Sequence, residues 1–296
     1  MKEWLKSLIK ILIQQNKQMP RINKIEAFLL SLTFEKITIK MESQNSLEIN
    51  NANIHYVHHE INPERPTLIF LHDSLGSTQL WRDFPKEVAE KTNCNLFIYD
   101  RKGYGKSSPF TINHRELTYM HDEADFLNDL VQHFNFKDII LFGHSDGGSI
   151  TLLYAAKYHQ NLKGIVVVGS HIIVEEISLQ GIRDAKIAYA KTNLKERLTK
   201  YHGDKTQKVF EMWTETWLRP DFIDFDIREE LKNIECPTLV IQGIDDEYGS
   251  IEQVNGIINN VKGRKESYLV PDAKHTPYKE NRTPTLAKTV EFIDSL

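Results

Sequence analysis

Cysteine is scarce in this sequence. Only Cys94 and Cys236 occur, and they form no Cys-x-x-Cys pair. That removes the usual basis for a zinc site or a disulfide framework and points to a reducing compartment, the cytoplasm. Low-complexity tracts, internal repeats and any basic stripe interleaved with aromatics are also missing, and the formal charge is −4. A nucleic-acid partner is therefore not expected. No glycine fingerprint for a nicotinamide or flavin is present, so no cofactor is expected. Gly105-Lys106-Ser107 matches only the tail of a phosphate-binding loop, because Asp100 stands where that loop needs a glycine. His55, His58 and His59 cluster, but residues 55 and 58 of a strand face opposite sides. No cysteine or carboxylate completes a ligand set, so no metal site is expected.

Charge is unevenly spread. Residues 1–40 carry eight Lys/Arg against three acids, a net of +5, which leaves −9 for the remainder. Trp4, Leu5, Leu8, Ile9 and Leu12 recur at helical spacing there, which predicts a basic amphipathic extension. The uninterrupted apolar run in that helix, Ile11–Ile13, is too short for a signal-peptide core or a membrane span. Such a helix can pack on the protein body, or it can make weak contact with a membrane surface.

After Met41 short apolar runs alternate with helical patterns. Leu47–Asn50 and Ile54–His59 read as a strand pair around the Asn50-Asn51 turn signal. The runs 67–71 and 95–99 read as strands buried on both faces, and 138–142, 164–168, 238–242 and 266–270 as further strands. Helical patterns fall at 81–92, 119–134, 149–159 and 284–296. This order predicts an α/β protein with a mostly parallel central sheet covered by helices on both faces. One stretch breaks the rhythm. Residues 172–235 hold no buried strand run but carry helix-period sequence over 182–201 and 208–218. We expect an inserted helical cap there, with 41–171 and 236–296 forming the core. The cap contains Trp213 and Trp217, half of the four tryptophans. They fit equally as glue between cap and core or as walls of a substrate pocket.

The strongest local signal is Gly143-His144-Ser145-Asp146-Gly147-Gly148, between a strand and a helix. In that context Gly-x-Ser-x-Gly predicts a nucleophile elbow, with the helix N-terminus facing the anion that develops in acyl transfer. A serine needs a base and an orienting acid. Asp245 and Asp246 follow the strand at 238–242, and His275 follows the last strand in a short loop.

These motifs resemble the α/β-hydrolase superfamily over about residues 45–296, in its serine hydrolase branch with a helical cap. The family order is Ser, acid, His, and its Gly-x-x-Asp pattern after the strand selects Asp246 from Gly243, with Asp245 as the alternative that caps the turn. His72-Asp-Ser-Leu-Gly76 is similar to the family's His-Gly-x-x-Gly loop, Asp100-Arg-Lys-Gly103-Tyr-Gly105-Lys-Ser107 to its Asp-x-x-Gly-x-Gly-x-Ser turn, and Lys274-His275-Thr-Pro277 to its Gly-His-x-Pro context. Asp73 and Lys274 stand where the family has glycine. The resemblance implies an oxyanion hole made by the backbone N–H groups of Ser74 and Asp146. It implies hydrolysis of a carboxylic ester or related acyl bond of a small molecule, without a cofactor. Carbon–carbon bond hydrolases and ligand-binding receptors on the same scaffold remain alternatives. Ser145-Asp146-Gly147-Gly148 is also similar to the elbow of valacyclovir-hydrolase-like esterases. There the acid is implicated in binding a substrate ammonium, whereas an aspartate in the first turn of a helix is also favourable by itself.

Overall fold

The computed structural model describes residues 43–296; the amphipathic extension expected at 1–40 lies outside them. Among the described residues, eight strands form one sheet in the order β1-β2-β4-β3-β5-β6-β7-β8. They are β1 (Ser43–Ile49), β2 (Ala52–His59), β3 (Thr67–Leu71), β4 (Asn95–Tyr99), β5 (Ile139–His144), β6 (Leu162–Val168), β7 (Thr238–Gly243) and β8 (Lys265–Val270). The β1–β2 and β2–β4 pairs are antiparallel, and every later pair is parallel. The hairpin between β1 and β2 turns on Asn50 and Asn51, both at positive φ, which asparagine tolerates better than most residues.

Strand alternation divides the core in two. Ile69, Leu71 and Leu141 belong to one buried cluster, with Met120, Leu127, Ile150 and Val254. Leu68, Phe70 and Ile140 belong to the other, with Phe84, Val88 and Phe292. Each run is apolar throughout because both faces are covered. The covering helices are α1 (Phe84–Thr92), α2 (Tyr119–His133), α3 (Asp146–Lys157) and others that follow β7 and β8. The chain at 78–81 forms a separate 3₁₀ turn rather than the start of α1. Helix α3 begins at Asp146, three residues before the helical pattern at 149, because glycines in its first turn mask the periodicity.

Between β6 and β7 the described chain is helical: α4 (Glu176–Lys191), α5 (Leu194–His202), α6 (Thr206–Trp217) and the short α7 (Arg228–Leu231). The sequence pattern over 182–201 reads as one helix, but it breaks at Thr192. Thr192 N–H and Oγ1 both donate to the Ala188 carbonyl, at 2.9 and 2.7 Å, and Oγ1 accepts from Leu194 N–H at 3.2 Å, so the side chain takes the N–H that would have carried the helix on. After β7 comes α8 (Ile251–Asn260), and after β8 come α9 (Pro277–Glu280) and α10 (Arg282–Asp294). No helix among the described residues is long and apolar enough to cross a membrane.

Candidate active site

The elbow forms where β5 turns into α3. Ser145 sits between them at φ 54° and ψ −123°, a conformation that is strained for a residue with a Cβ. Its N–H continues the sheet by donating to the Val168 carbonyl at 2.8 Å. The turn closes only because glycines flank it. A Cβ on Gly143 would lie 2.2 Å from the Gly147 carbonyl oxygen, and one on Gly147 would lie 2.1 Å from that of Leu71. In the first turn of α3 the Gly148 N–H donates to the Ser145 carbonyl at 2.8 Å. The N–H groups of Asp146 and Gly147 precede any helical partner, so they and the helix dipole are available to an anion beside Ser145.

Asp246 and His275 come from the turns after β7 and β8, adjacent parallel strands whose ends lie side by side. The His275 Nδ1 lies 2.9 Å from Asp246 Oδ1 and 3.0 Å from Oδ2. Asp246 Oδ1 also accepts from the N–H groups of Tyr248 and Gly249, at 2.9 and 3.2 Å. Burial works against the Asp246 charge, but the His275 ring and these N–H donors outweigh it and lower its pKa. Burial likewise opposes a charged His275, but Asp246 outweighs it and raises the pKa. With a carboxylate on Nδ1, that nitrogen carries the proton and Nε2 is left as the base. Asp245 is exposed, and its N–H donates to the Ala273 carbonyl at 3.0 Å.

Ser145 and His275 line one cavity of about 180 Å³ with Asp73, Ser74, Asp146 and His171. Among the described residues no hydrogen bond joins Ser145 Oγ to His275; bonds of this kind often tighten only in the complex with substrate. From the helices between β6 and β7, Ile182, Trp213 and Trp217 close over the cavity. Trp213 and Trp217 also belong to the buried core, so each is at once packing and wall. Trp217 Nε1 donates to Tyr119 Oη at 3.2 Å.

The sequence profile of the α/β hydrolase fold matches residues 66–219, more than half of the chain. The chain belongs to the α/β hydrolase family. Mouse serine hydrolase BPHL is 28% identical over 234 residues, covering 77% of this chain and 78% of its own. A proline iminopeptidase of Saccharolobus solfataricus is 26% identical and covers 90% of this chain and 98% of its own. Among solved structures, a membrane phospholipase A described as a bacterial virulence factor aligns with a TM-score of 0.68 at 20% identity, covering 100% of this chain and 99% of that one. The CarC serine hydrolase involved in carbazole degradation aligns at 0.67 and 18%, covering 86% and 100%. These structural likenesses carry the fold, and the family places this chain among the hydrolases.

Of the two readings of Asp146 in this α/β hydrolase, a ligand for a substrate ammonium or a residue held by its own surroundings, the geometry favours the second. Asp146 lines the cavity, but its Oδ2 is already engaged by the protein. Asp146 Oδ2 accepts from Tyr119 Oη at 3.1 Å and lies 3.8 Å from Arg115 Nη1 and 4.0 Å from Arg101 Nη2. All three charged side chains are buried, and an incoming cation would meet two guanidinium groups.

Other site residues escaped sequence reasoning. His144 Nε2 lies 2.8 Å from the His275 carbonyl, and Tyr278 Oη lies 3.3 Å from His144 Nδ1. Burial lowers the His144 pKa to about 4, so the ring is neutral, donates to that carbonyl and braces the His275 loop. His171, after β6, packs edge-on against Trp217 and stays neutral, with a pKa lowered by burial to about 4. Gly169 has φ 54°, and a Cβ there would lie 3.1 Å from the His275 ring. The signal available for these was position alone: the x of Gly-x-Ser-x-Gly and the end of a core strand.

Proposed function

We propose that this hydrolase cleaves a carboxylic ester or related acyl bond of a small molecule through Ser145, His275 and Asp246. The observation that carries the reading is the Nδ1–carboxylate bond of 2.9 Å on a histidine sharing a cavity with the elbow serine. Ser145 Oγ attacks the carbonyl carbon and its proton passes to His275 Nε2. The carbonyl π pair moves onto oxygen, which the N–H groups of Ser74 and Asp146 hold. Asp246 stabilises the imidazolium that forms. Collapse of the intermediate breaks the bond to the leaving group, which takes the proton from Nε2. Water, deprotonated by His275, then attacks the acyl carbon; collapse breaks its bond to Ser145 Oγ, which takes the proton back from Nε2 as the acid leaves.

At about 180 Å³ the cavity lies below the roughly 300–1,000 Å³ of pockets for drug-sized ligands, which favours a small acyl group. Ile182, Trp213 and Trp217 support reading 172–235 as a cap that selects it. The test is a panel of short p-nitrophenyl esters, thioesters, amides and carbon–carbon cleavage substrates, with fluorophosphonate labelling. We expect turnover of the esters and label on Ser145, both abolished in Ser145→Ala. A single burst without turnover would favour a binding protein, and cleavage of diketones in preference to esters would favour a carbon–carbon bond hydrolase.

A further inference from the structure

Behind the elbow lies a cation that the reaction scheme does not use. Arg101 follows β4 in a turn pinned by Asp100, whose oxygens accept from Thr78 N–H at 2.6 Å and Lys106 N–H at 2.8 Å. The Arg101 side chain is fully buried, and its Nε and Nη1 find no hydrogen-bond partner. A buried guanidinium is expensive even with a carboxylate nearby, and apolar packing of similar volume often does as well or better for stability. Its position therefore calls for a reason other than stability.

That position is specific. Arg101 Nη2 donates to the Asp73 carbonyl at 3.0 Å. The same carbonyl accepts from Gly76 N–H at 3.1 Å and faces His72 Nδ1 at 2.7 Å. Arg101 acts on that histidine too. Its backbone N–H donates to His72 Nε2 at 3.1 Å, which leaves the ring proton on Nδ1, pointed at Asp73. Burial keeps His72 neutral, so this tautomer is fixed. The Asp73–Ser74 peptide is trans, as no cis bond occurs among the described residues. In a trans peptide the C=O and N–H point in opposite directions. Three donors behind the carbonyl therefore aim the Ser74 N–H away from Arg101, and Ser74 lines the cavity. The same Nη2 lies 4.0 Å from the carboxylate of Asp146, the residue that opens α3 beside the nucleophile.

We infer that Arg101 is a positioning residue for the oxyanion hole, holding and polarising the Asp73–Ser74 peptide from behind while anchoring Asp146 on the other side. The inference rests on the proposed roles of Ser74 and Asp146 as oxyanion donors. Hydrogen bonds in series strengthen one another at low dielectric, so a cation on the carbonyl makes the N–H of the same peptide a better donor. Donors fixed before the reaction need not reorganise as charge moves onto the substrate oxygen. The contribution appears in the transition state and not in ground-state binding.

The test compares p-nitrophenyl esters with their thiono analogues, in which C=S replaces C=O, on the full chain and on Arg101→Met, Arg101→Lys and Ser145→Ala. An oxyanion hole favours the oxo substrate because sulfur accepts hydrogen bonds poorly. We expect Arg101→Met to lower kcat on the oxo ester by about 10- to 100-fold with KM within about threefold, and to erode the oxo-over-thiono preference by a similar factor. Arg101→Lys, which keeps the charge, should recover part of both. The preference is a ratio measured on active molecules, so a poorly folding variant does not distort it. An unchanged preference in Arg101→Met, or no preference in the wild type, overturns the inference. Turnover retained by Ser145→Ala overturns the serine mechanism and this inference with it. An inactive Ser145→Ala beside an unchanged Arg101→Met preference overturns only the role of Arg101.

Discussion

Two aspartates flank Ser145, the proposed nucleophile, and have opposite surroundings. In front, Asp246 meets His275, whose side chain is 13% exposed to the cavity. Behind, Asp146 meets Arg101, Arg115 and Tyr119, all buried. Both carboxylates are shielded from solvent, so burial does not separate them. Their partners do. An imidazole can gain and lose a proton near neutral pH, so the front pair can take part in proton transfer. A guanidinium keeps its proton. Burial opposes the charge on Arg101, but Tyr104, Glu123 and Asp146 hold it and raise the pKa further. The rear cluster can therefore fix a geometry and a field but cannot relay protons. On the proposed mechanism the same residue type is an orienter of a base in one place and an anchor in the other.

Exchanging charge for amide at each site should break this comparison most sharply in kcat. Asp246→Asn leaves the wrong tautomer on His275, and we expect kcat to fall by about 10⁴-fold with little change in Tm. Asp245→Asn should stay within a few-fold of wild type, since that side chain is exposed; steady-state kinetics on a short ester checks both. If Asp245→Asn proved the more damaging change, the front pair would be misassigned.

Asp146→Asn should act mainly on stability. It leaves two buried guanidinium groups short of a counter-charge, at a cost of about 3–5 kcal/mol, and should lower Tm by on the order of 10 °C. Thermal unfolding at constant pH measures it. A variant with wild-type Tm would mean that Glu123 alone balances the cluster.

The pH profile gives the smallest effect and sharpens the contrast. On the proposed mechanism His275 is the base, which works only when neutral, and Asp246, with Asp73 and Glu247, raises its pKa above the ordinary 6.5. The acid limb of kcat/KM should therefore lie above 6.5, with activity lost as pH falls through it. In Asp246→Asn the main raising cause is gone and burial lowers the pKa, so the limb of the residual activity should move to lower pH. A limb that did not move would show that Asp246 does not face the base.

Strand positions were legible because a strand buried on both faces reads as an unbroken apolar run, as at Thr67–Leu71. The edge strand β8 was legible only from Glu266 to Val270, because its outer positions are polar and exposed. Helix α8 was not read from the pattern at all, although Ser250 Oγ caps it by accepting from Glu252 N–H at 3.1 Å. Its mixed polar face around Gln253 and Asn255 blurred the period. The roles of Trp213 and Trp217 stayed open because packing and wall need the same residue type, and the structure uses each for both.

The sequence by itself determined the elbow and the places where an acid and a histidine follow β7 and β8. Those depend on local sterics and on chain order through a parallel sheet, and both are written linearly. Only the tertiary structure decided which charges meet. Arg101 reaches Asp73 across 28 residues of chain, and Trp217 reaches Tyr119 across 98. Whether Asp146 faces a substrate or a guanidinium depends on where those distant segments pack, and no periodicity or spacing along the chain encodes that.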